Sequence, residues 1–205
     1  MPAPRPDSSE IANNFYFDRN FETEAVKLLP GQYYVARKDM LLVTVLGSCV
    51  AACLRDPLTG IGGMNHFMLP DAGGDPGNPL SASARYGAYA MEMLINELTK
   101  AGASRARLEA KLFGGGNVLQ GLDHAMVGER NAAFALGFLQ VEQIPLRAKD
   151  LLDEYPRKVY FFPKTGKVLV KRLRSMANDT VARRERDYQR QIGATRVAGE
   201  VELFS

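Results

Sequence analysis

A mixed α+β domain is the fold class that this chain predicts. Three observations lead there: many short apolar runs bounded by Gly, Pro, Asn and Asp, a minority of helical periodicity, and enough apolar residues for one core. The 205 residues are 46% hydrophobic, which suits a single domain carrying extensions. The expected division is a mobile N-terminal arm over residues 1–27, a folded domain over 28–174 and a helical C-terminal extension over 175–205. Phe15, Tyr16, Phe17 and Phe21 imply that part of the arm docks on something.

Taken in order, residues 41–46 (Leu-Leu-Val-Thr-Val-Leu) are branched and apolar, the pattern of a buried strand. Gly47-Ser48 then reads as a turn, followed by Val50-Ala51-Ala52-Cys53-Leu54 and the strong turn signal Asp56-Pro57-Leu58-Thr59-Gly60. Residues 61–69 form a second extended run, closed by Pro70. A hairpin with Asp56 opposite Ile61 sets Cys49 opposite Met68. His66 then lies one diagonal step from Cys49 on the same face, about 7–8 Å between Cα atoms. A register slip of one residue would turn His66 to the other face.

Residues 71–80 are a Gly/Pro/Asn loop, fit for a lid or a substrate rim. Residues 84–100 carry a helical stripe of Ala90, Met91, Leu94, Ile95 and Leu98, stopped by Gly102. Residues 108–113 read as a strand entering Gly114-Gly115-Gly116-Asn117. That run lacks the Gly-Lys-Ser/Thr ending of a phosphate loop, so a close-approach loop beside a site is the expectation. His124 reads as a surface residue. Residues 129–139 predict a helix and 141–146 a strand. Residues 159–162 and 167–170 flank Pro163-Lys164-Thr165-Gly166 as a hairpin, and 176–192 predict a terminal helix.

The segment Leu46-Gly47-Ser48-Cys49-Val50, followed by Asn65-His66-Phe67, carries the chemistry. A free thiol has a pKa of about 8.5 and needs a base to become a nucleophile near neutrality, and histidine is the side chain suited to that. Cys49 is the candidate nucleophile and His66 the candidate base. Gly47 is expected to permit a turn that leaves the amides of Ser48 and Cys49 free as oxyanion donors. Ser48 is not read as the nucleophile, since an elbow of the Gly-x-Ser-x-Gly kind needs glycine where this chain has Val50. Cys49, Cys53 and His66 lack the tight pairing of a structural zinc site, so neither metal nor cofactor is expected.

The ordered set Pro30-Gly31-Gln32-Tyr33-Tyr34-Val35, Val45-Leu46-Gly47-Ser48-Cys49-Val50, Cys53-Leu54-Arg55-Asp56-Pro57 and Gly63-Met64-Asn65-His66-Phe67-Met68-Leu69-Pro70 resembles CheD, the chemoreceptor glutamine deamidase family. Arg85-Tyr86-Gly87, Ala110-Lys111-Leu112-Phe113-Gly114-Gly115-Gly116, Gly128-Glu129-Arg130-Asn131 and two runs within residues 157–171 extend the resemblance to about residues 30–173. It implies an α/β/β three-layer fold and hydrolysis of receptor glutamine side chains, with Cys49 as nucleophile, His66 as general base and a threonine that orients the histidine. The same site would hydrolyse a glutamate methyl ester.

Thr44 is the threonine available for the orienting role, although the family pattern can place it one residue earlier, where this chain has Val43. Residues 150–156 also depart from the family, where Leu151-Leu152-Asp153-Glu154-Tyr155 stands in place of a Gly-Gly pair. The implied partners are methyl-accepting chemotaxis receptors, through their cytoplasmic helices, and a CheC-type phosphatase. The alternative is a chemotaxis adaptor with little catalytic activity.

Composition sets the remaining bounds. The net charge of +3 is mild, and no nucleic-acid reading motif accompanies the basic residues. Basic residues gather at Lys171, Arg172 and Arg174 and at Arg183, Arg184, Arg186 and Arg190; with Glu185 and Asp187 interspersed they read as a solvated helix face, the alternative being steering toward an acidic partner. No run suits membrane insertion, and the polar, proline-rich opening reads as neither leader nor anchor, so the cytoplasm is the expected location.

Overall fold

The computed structural model describes residues 10–70, 82–118, 125–173 and 178–194. Its strands are β1 (Asn14–Asp18), β2 (Thr23–Leu28), β3 (Tyr33–Ala36), β4 (Leu41–Leu46), β5 (Val50–Arg55), β6 (Gly62–Asn65), β7 (Glu109–Gly114), β8 (Leu146–Leu151), β9 (Arg157–Phe162) and β10 (Lys167–Arg172). The helices are α1 (Ala82–Lys100), α2 (Ala125–Val141) and α3 (Asn178–Ala194). One sheet has the order β1-β2-β4-β9-β10 and the other β3-β6-β5-β7-β8. The fold class is therefore mixed α+β. No helix among the described residues is long and apolar enough to cross a membrane.

Strand alternation divides the apolar residues into separate cores. Val50, Ala52 and Leu54 of β5 join Leu112 of β7 and the α1 stripe Met91, Leu94, Ile95 and Leu98, with Ala135 and Leu139 of α2. The intervening positions Ala51 and Cys53 face the other way, onto Leu42 and Leu46 of β4, Val26 and Leu28 of β2 and Val159 and Phe161 of β9. Leu41 and Val43 turn to the outer face of the first sheet, where Phe21, Tyr160 and Phe162 cover them. α1 stops at Gly102, whose φ of 109° only glycine adopts readily.

The expected hairpin register holds. Cys53 pairs with Met64 and Arg55 with Gly62, and the bridge Val50–Phe67 carries the same register past the end of β6. Asp56 fixes the turn: its N–H donates to Ile61 O at 2.9 Å, and its carboxylate accepts from Leu58 N, Ser104 N and the Arg107 guanidinium.

Two expectations are corrected. Residues 10–27 are no mobile arm, because β1 and β2 belong to a sheet and β2 lies parallel to β4, with Leu28 beside Thr44. Ala25, Val26 and Leu28 are buried, and Ala12 N donates to Tyr33 O at 3.0 Å. Residues 141–146 are not a strand either. α2 runs on to Val141, a turn with Gln143 at φ 55° follows, and β8 begins only at Leu146. The apolar run there is shared between a helix end and a strand start. The 71–80 loop and His124 lie outside the described residues.

Among the described residues Arg157 is the largest fully buried side chain, and it ties the end of β8 to the glycine turn after β7. Its Nε donates to Asp150 Oδ1 at 2.9 Å, Nη1 to Gly114 O at 3.3 Å and Nη2 to Leu152 O, while Tyr155 stacks on the guanidinium. The departure from a Gly-Gly pair is visible here, because Leu152 and Asp153 sit at φ 66° and 79°, the left-handed region that favours glycine. A lysine cannot reproduce this fork. Arg157→Lys is expected to lower unfolding stability by about 3 kcal/mol, read as a shift of the urea midpoint; an unmoved midpoint would show that the fork is dispensable.

Candidate functional site

The site is built where the chain leaves one sheet for the other. β4 ends at Leu46 in the first sheet and β5 begins at Val50 in the second, so Gly47-Ser48-Cys49 belongs to neither ladder. Its carbonyls are held from behind. Gly116 N donates to Gly47 O at 2.8 Å, Gly115 N to Cys49 O at 2.7 Å, and Asn131 Nδ2 to Ser48 O at 2.9 Å. The glycine run therefore is the close-approach loop that its sequence suggests. At Gly114 (φ 108°) a Cβ would fall 2.2 Å from Cys49 O.

With the carbonyls engaged, the amides point forward together. Gly47 N and Ser48 N donate to the Glu185 carboxylate, each at 2.8 Å, and Cys49 N does so at 3.2 Å. The Ser48 hydroxyl adds a fourth bond at 2.7 Å, which leaves it as a donor in this cradle. Such converging N–H groups form an anion-binding nest. Gly47 matters for room, not for a left-handed turn: a Cβ there would meet Glu185 Oε2 at 2.7 Å and Val118 at 2.6 Å.

His66 follows β6, with its N–H donating to Gln32 O at 2.8 Å and its carbonyl accepting from Gly31 N at 2.7 Å. Strand alternation turns Thr44 inward with Leu42 and Leu46, whereas Val43 faces out, so the chain presents its threonine at the position that reaches the histidine. Thr44 Oγ1 lies 2.7 Å from His66 Nδ1 and 3.0 Å from Leu28 O. A hydroxyl has one proton, and a carbonyl can only accept. Thr44 therefore donates to Leu28 O and accepts from Nδ1–H, which leaves Nε2 with its lone pair free. Nε2 is buried and has no hydrogen-bond partner among the described residues.

Cys49 Sγ, a ring nitrogen of His66 and a Glu185 oxygen lie within 4.8 Å of one another, and all three residues are buried. Burial pulls the His66 pKa from 6.5 down to about 3, against a smaller upward contribution from Leu28. Burial, and then the neighbouring Glu185 carboxylate, push the Cys49 thiol well up. Both members of the pair are thus held neutral. A Cys-His-Glu trio has the donor types of a metal site, but both Glu185 oxygens already accept backbone N–H groups, and no other Cys, His, Asp or Glu among the described residues joins them.

The structure brings together every residue singled out from sequence: Cys49, His66, Thr44, Gly47 and Ser48. It adds Asn131 and Glu185. Asn131 was visible only as part of a motif; its amide braces the turn and its Oδ1 accepts from Leu69 N at 2.8 Å. Glu185 corrects the reading of a solvated helix face, since it is 1% exposed while Arg183, Arg184 and Arg186 beside it face solvent. An acid among arginines on a helix, with exposed Asp187 two residues on, gives no sequence signal of burial.

Fold and site together define a class: a mixed α+β protein with a thiol–imidazole pair beside an anion-binding turn. The chain belongs to the CheD family. A family model described as CheD chemotactic sensory transduction matches residues 68–172. Relatives named probable chemoreceptor glutamine deamidase CheD span the site as well. That of Thiobacillus denitrificans is 64% identical, covering 95% of this chain and 96% of its own. Those of Janthinobacterium sp. and Methylobacillus flagellatus are 62% and 58% identical, over 95% and 97% of this chain and 96% and 98% of theirs. Among solved structures, the hypothetical protein YfiH of Bacillus licheniformis is similar over 59% of this chain and 51% of that one, at 16% identity and a TM-score of 0.37, too loose a likeness to carry an argument.

The depressed His66 pKa has a consequence for stability. Between the unfolded value of 6.5 and the folded value of about 3, the unfolded chain binds a proton that the folded one does not. Stability therefore falls as pH drops through that window, by at most about 1.4 kcal/mol per pH unit from this group. His66→Gln is expected to remove that share of the slope in urea unfolding at pH 7, 6 and 5; parallel slopes for both proteins would count against a neutral buried imidazole.

Proposed function

We propose that this chain is a protein-glutamine deamidase that converts glutamine side chains of methyl-accepting chemotaxis receptors to glutamate in the cytoplasm. The observation that carries the reading is the Thr44–His66 pair, which leaves Nε2 with a free lone pair on a ring that lies beside Cys49 and three converging amides. His66 takes the thiol proton, and the Cys49 thiolate attacks the carboxamide carbon of the substrate. The tetrahedral oxyanion sits where the amides of Gly47, Ser48 and Cys49 converge, a kind of stabilisation worth about 3–4 kcal/mol per donor. His66 returns the proton to the departing ammonia, and water activated by neutral His66 cleaves the thioester. Thr44 acts through His66 as a positioning residue. The same steps would hydrolyse a glutamate methyl ester, in which only the leaving group differs.

The substrate's glutamines belong in this reading to the receptor's cytoplasmic helices, and a CheC-type phosphatase is a second partner for the same surface. Lys27 and Arg184 line a crevice that reaches His66, which suits an acidic protein surface. The α/β/β three-layer order is part of the same reading; apolar clusters on both faces of the β3-β6-β5-β7-β8 sheet support it.

Mass spectrometry of a receptor cytoplasmic fragment tests the proposal. A gain of about 1 Da at specific glutamines is expected with the wild type and none with Cys49→Ala. His66→Ala should lower the rate by about a thousandfold or more, and Thr44→Ala by about 10–100-fold, mainly in kcat. No gain on several receptors, with equally tight binding by wild type and Cys49→Ala, would replace the deamidase reading with that of an adaptor.

A further inference from the structure

As described, the site is shut. Cys49 is fully buried and His66 is 2% exposed. Among the described residues, one crevice reaches His66 past Tyr86 and Tyr89 and another past Lys27 and Arg184, and each holds about 20 Å³. That admits a water and no glutamine side chain. What shuts it is α3. The helix meets the body along one stripe, where Val181 and Glu185 are buried and Tyr188 and Ile192 pack on the core between the sheets. The Tyr188 and Tyr86 hydroxyls are hydrogen-bonded, and Gly31 leaves the room that the Tyr188 ring occupies. The opposite side of α3 exposes Arg183, Arg186 and Arg190.

We infer that α3 is an intramolecular occupant of the substrate site, with Glu185 standing where the glutamate product stands, and that the segment displacing it is a helix presenting glutamine in the same way. This rests on the deamidase reading. A simple anchor for a terminal helix would need one or two hydrogen bonds at the surface. Glu185 instead fills the whole donor set of the nest, with both oxygens engaged and its carboxylate beside Cys49 Sγ and the His66 ring. Glutamate is also the residue that deamidation of glutamine leaves behind. The stripe on α3 defines the substrate in more detail. Beside the reacting side chain, the site accepts an aliphatic group at i−4, as at Val181, and an aromatic one at i+3, as at Tyr188.

The decisive variant is Glu185→Gln, because it converts the occupant into a substrate. Cys49 Sγ would bond to the side-chain carbonyl carbon while the C–N bond breaks. Ammonia would leave with the proton that His66 took from the thiol, and water would then cleave the thioester. The sum is carboxamide plus water to carboxylate plus ammonium. In the full-length variant, peptide mass spectrometry should find position 185 gaining about 1 Da at a rate independent of protein concentration, and no gain in the double variant with Cys49→Ala.

Two further variants, Glu185→Ala and Tyr188→Ala, should raise the rate of Cys49 alkylation by iodoacetamide at least about tenfold over the wild type, with buried Cys53 as internal control. A carboxamide that persists at position 185 while the same protein deamidates a receptor fragment overturns the mimicry. Alkylation rates equal to wild type in both variants overturn the occlusion. Failure to deamidate either position 185 or the receptor, with alkylation released, removes the deamidase reading and the mimicry together and leaves α3 as a cover over the thiol.

Discussion

The crossing from β4 to β5 is the constraint on which the site depends. A chain that passes between sheets must leave both ladders, and the residues in transit lose their strand partners. Here the carbonyls of Gly47, Ser48 and Cys49 are recovered by Gly116, Asn131 and Gly115, so only the donors remain. Leaving a buried amide unpaired costs about 1–3 kcal/mol, and three aligned amides make an empty nest expensive. The turn therefore calls for an anionic or strongly accepting group. Glu185 meets that need in the structure, and an oxyanion would meet it in the proposed reaction. The glycines serve this one arrangement: Gly114 and Gly116 let the loop lie against the back of the turn, Gly115 lets it approach α2 at Gly128, and Gly47 keeps the front of the turn open.

Much of this was legible because it is local. The signal Asp56-Pro57-Leu58-Thr59-Gly60 fixes the hairpin register, and Gly60 does adopt φ 72° within it. Register then decides which face His66 shares with Cys49. Period-two alternation similarly sorts Thr44 from Val43, a choice that the family pattern alone left open. At Gly47 the demand for glycine comes from the side chain opposite, since its φ is not left-handed.

What escaped the sequence is long-range. β2 pairs in parallel with β4 across an intervening strand of the other sheet, a connection with no turn signal to announce it. A proline-rich opening suggests an arm, and no local signal in residues 10–28 announces the sheet. Glu185 escaped for a different reason. Its burial is set by a contact with a turn far away in the chain, while its neighbours Arg183, Arg184 and Arg186 impose the pattern of a solvated face. An amphipathic stripe predicts that a helix docks, but not that the one acid in the stripe docks on amides.

The charge of the group in the nest also governs the reactivity of the thiol. Proton transfer from Cys49 to His66 creates a thiolate and an imidazolium, and both are opposed at rest. Burial holds the imidazole near pKa 3, and burial together with the Glu185 carboxylate holds the thiol up. A carboxamide in the same place carries no charge to oppose the thiolate. Seating a neutral glutamine therefore removes a repulsion that the anionic product restores. In the proposed reaction, substrate and product differ at one heavy atom, and the charge that it carries acts on the Cys49 thiol. In a site so dry, the same amides that stabilise an oxyanion also hold a carboxylate tightly, and release of product is then the step most in need of a device that opens the site.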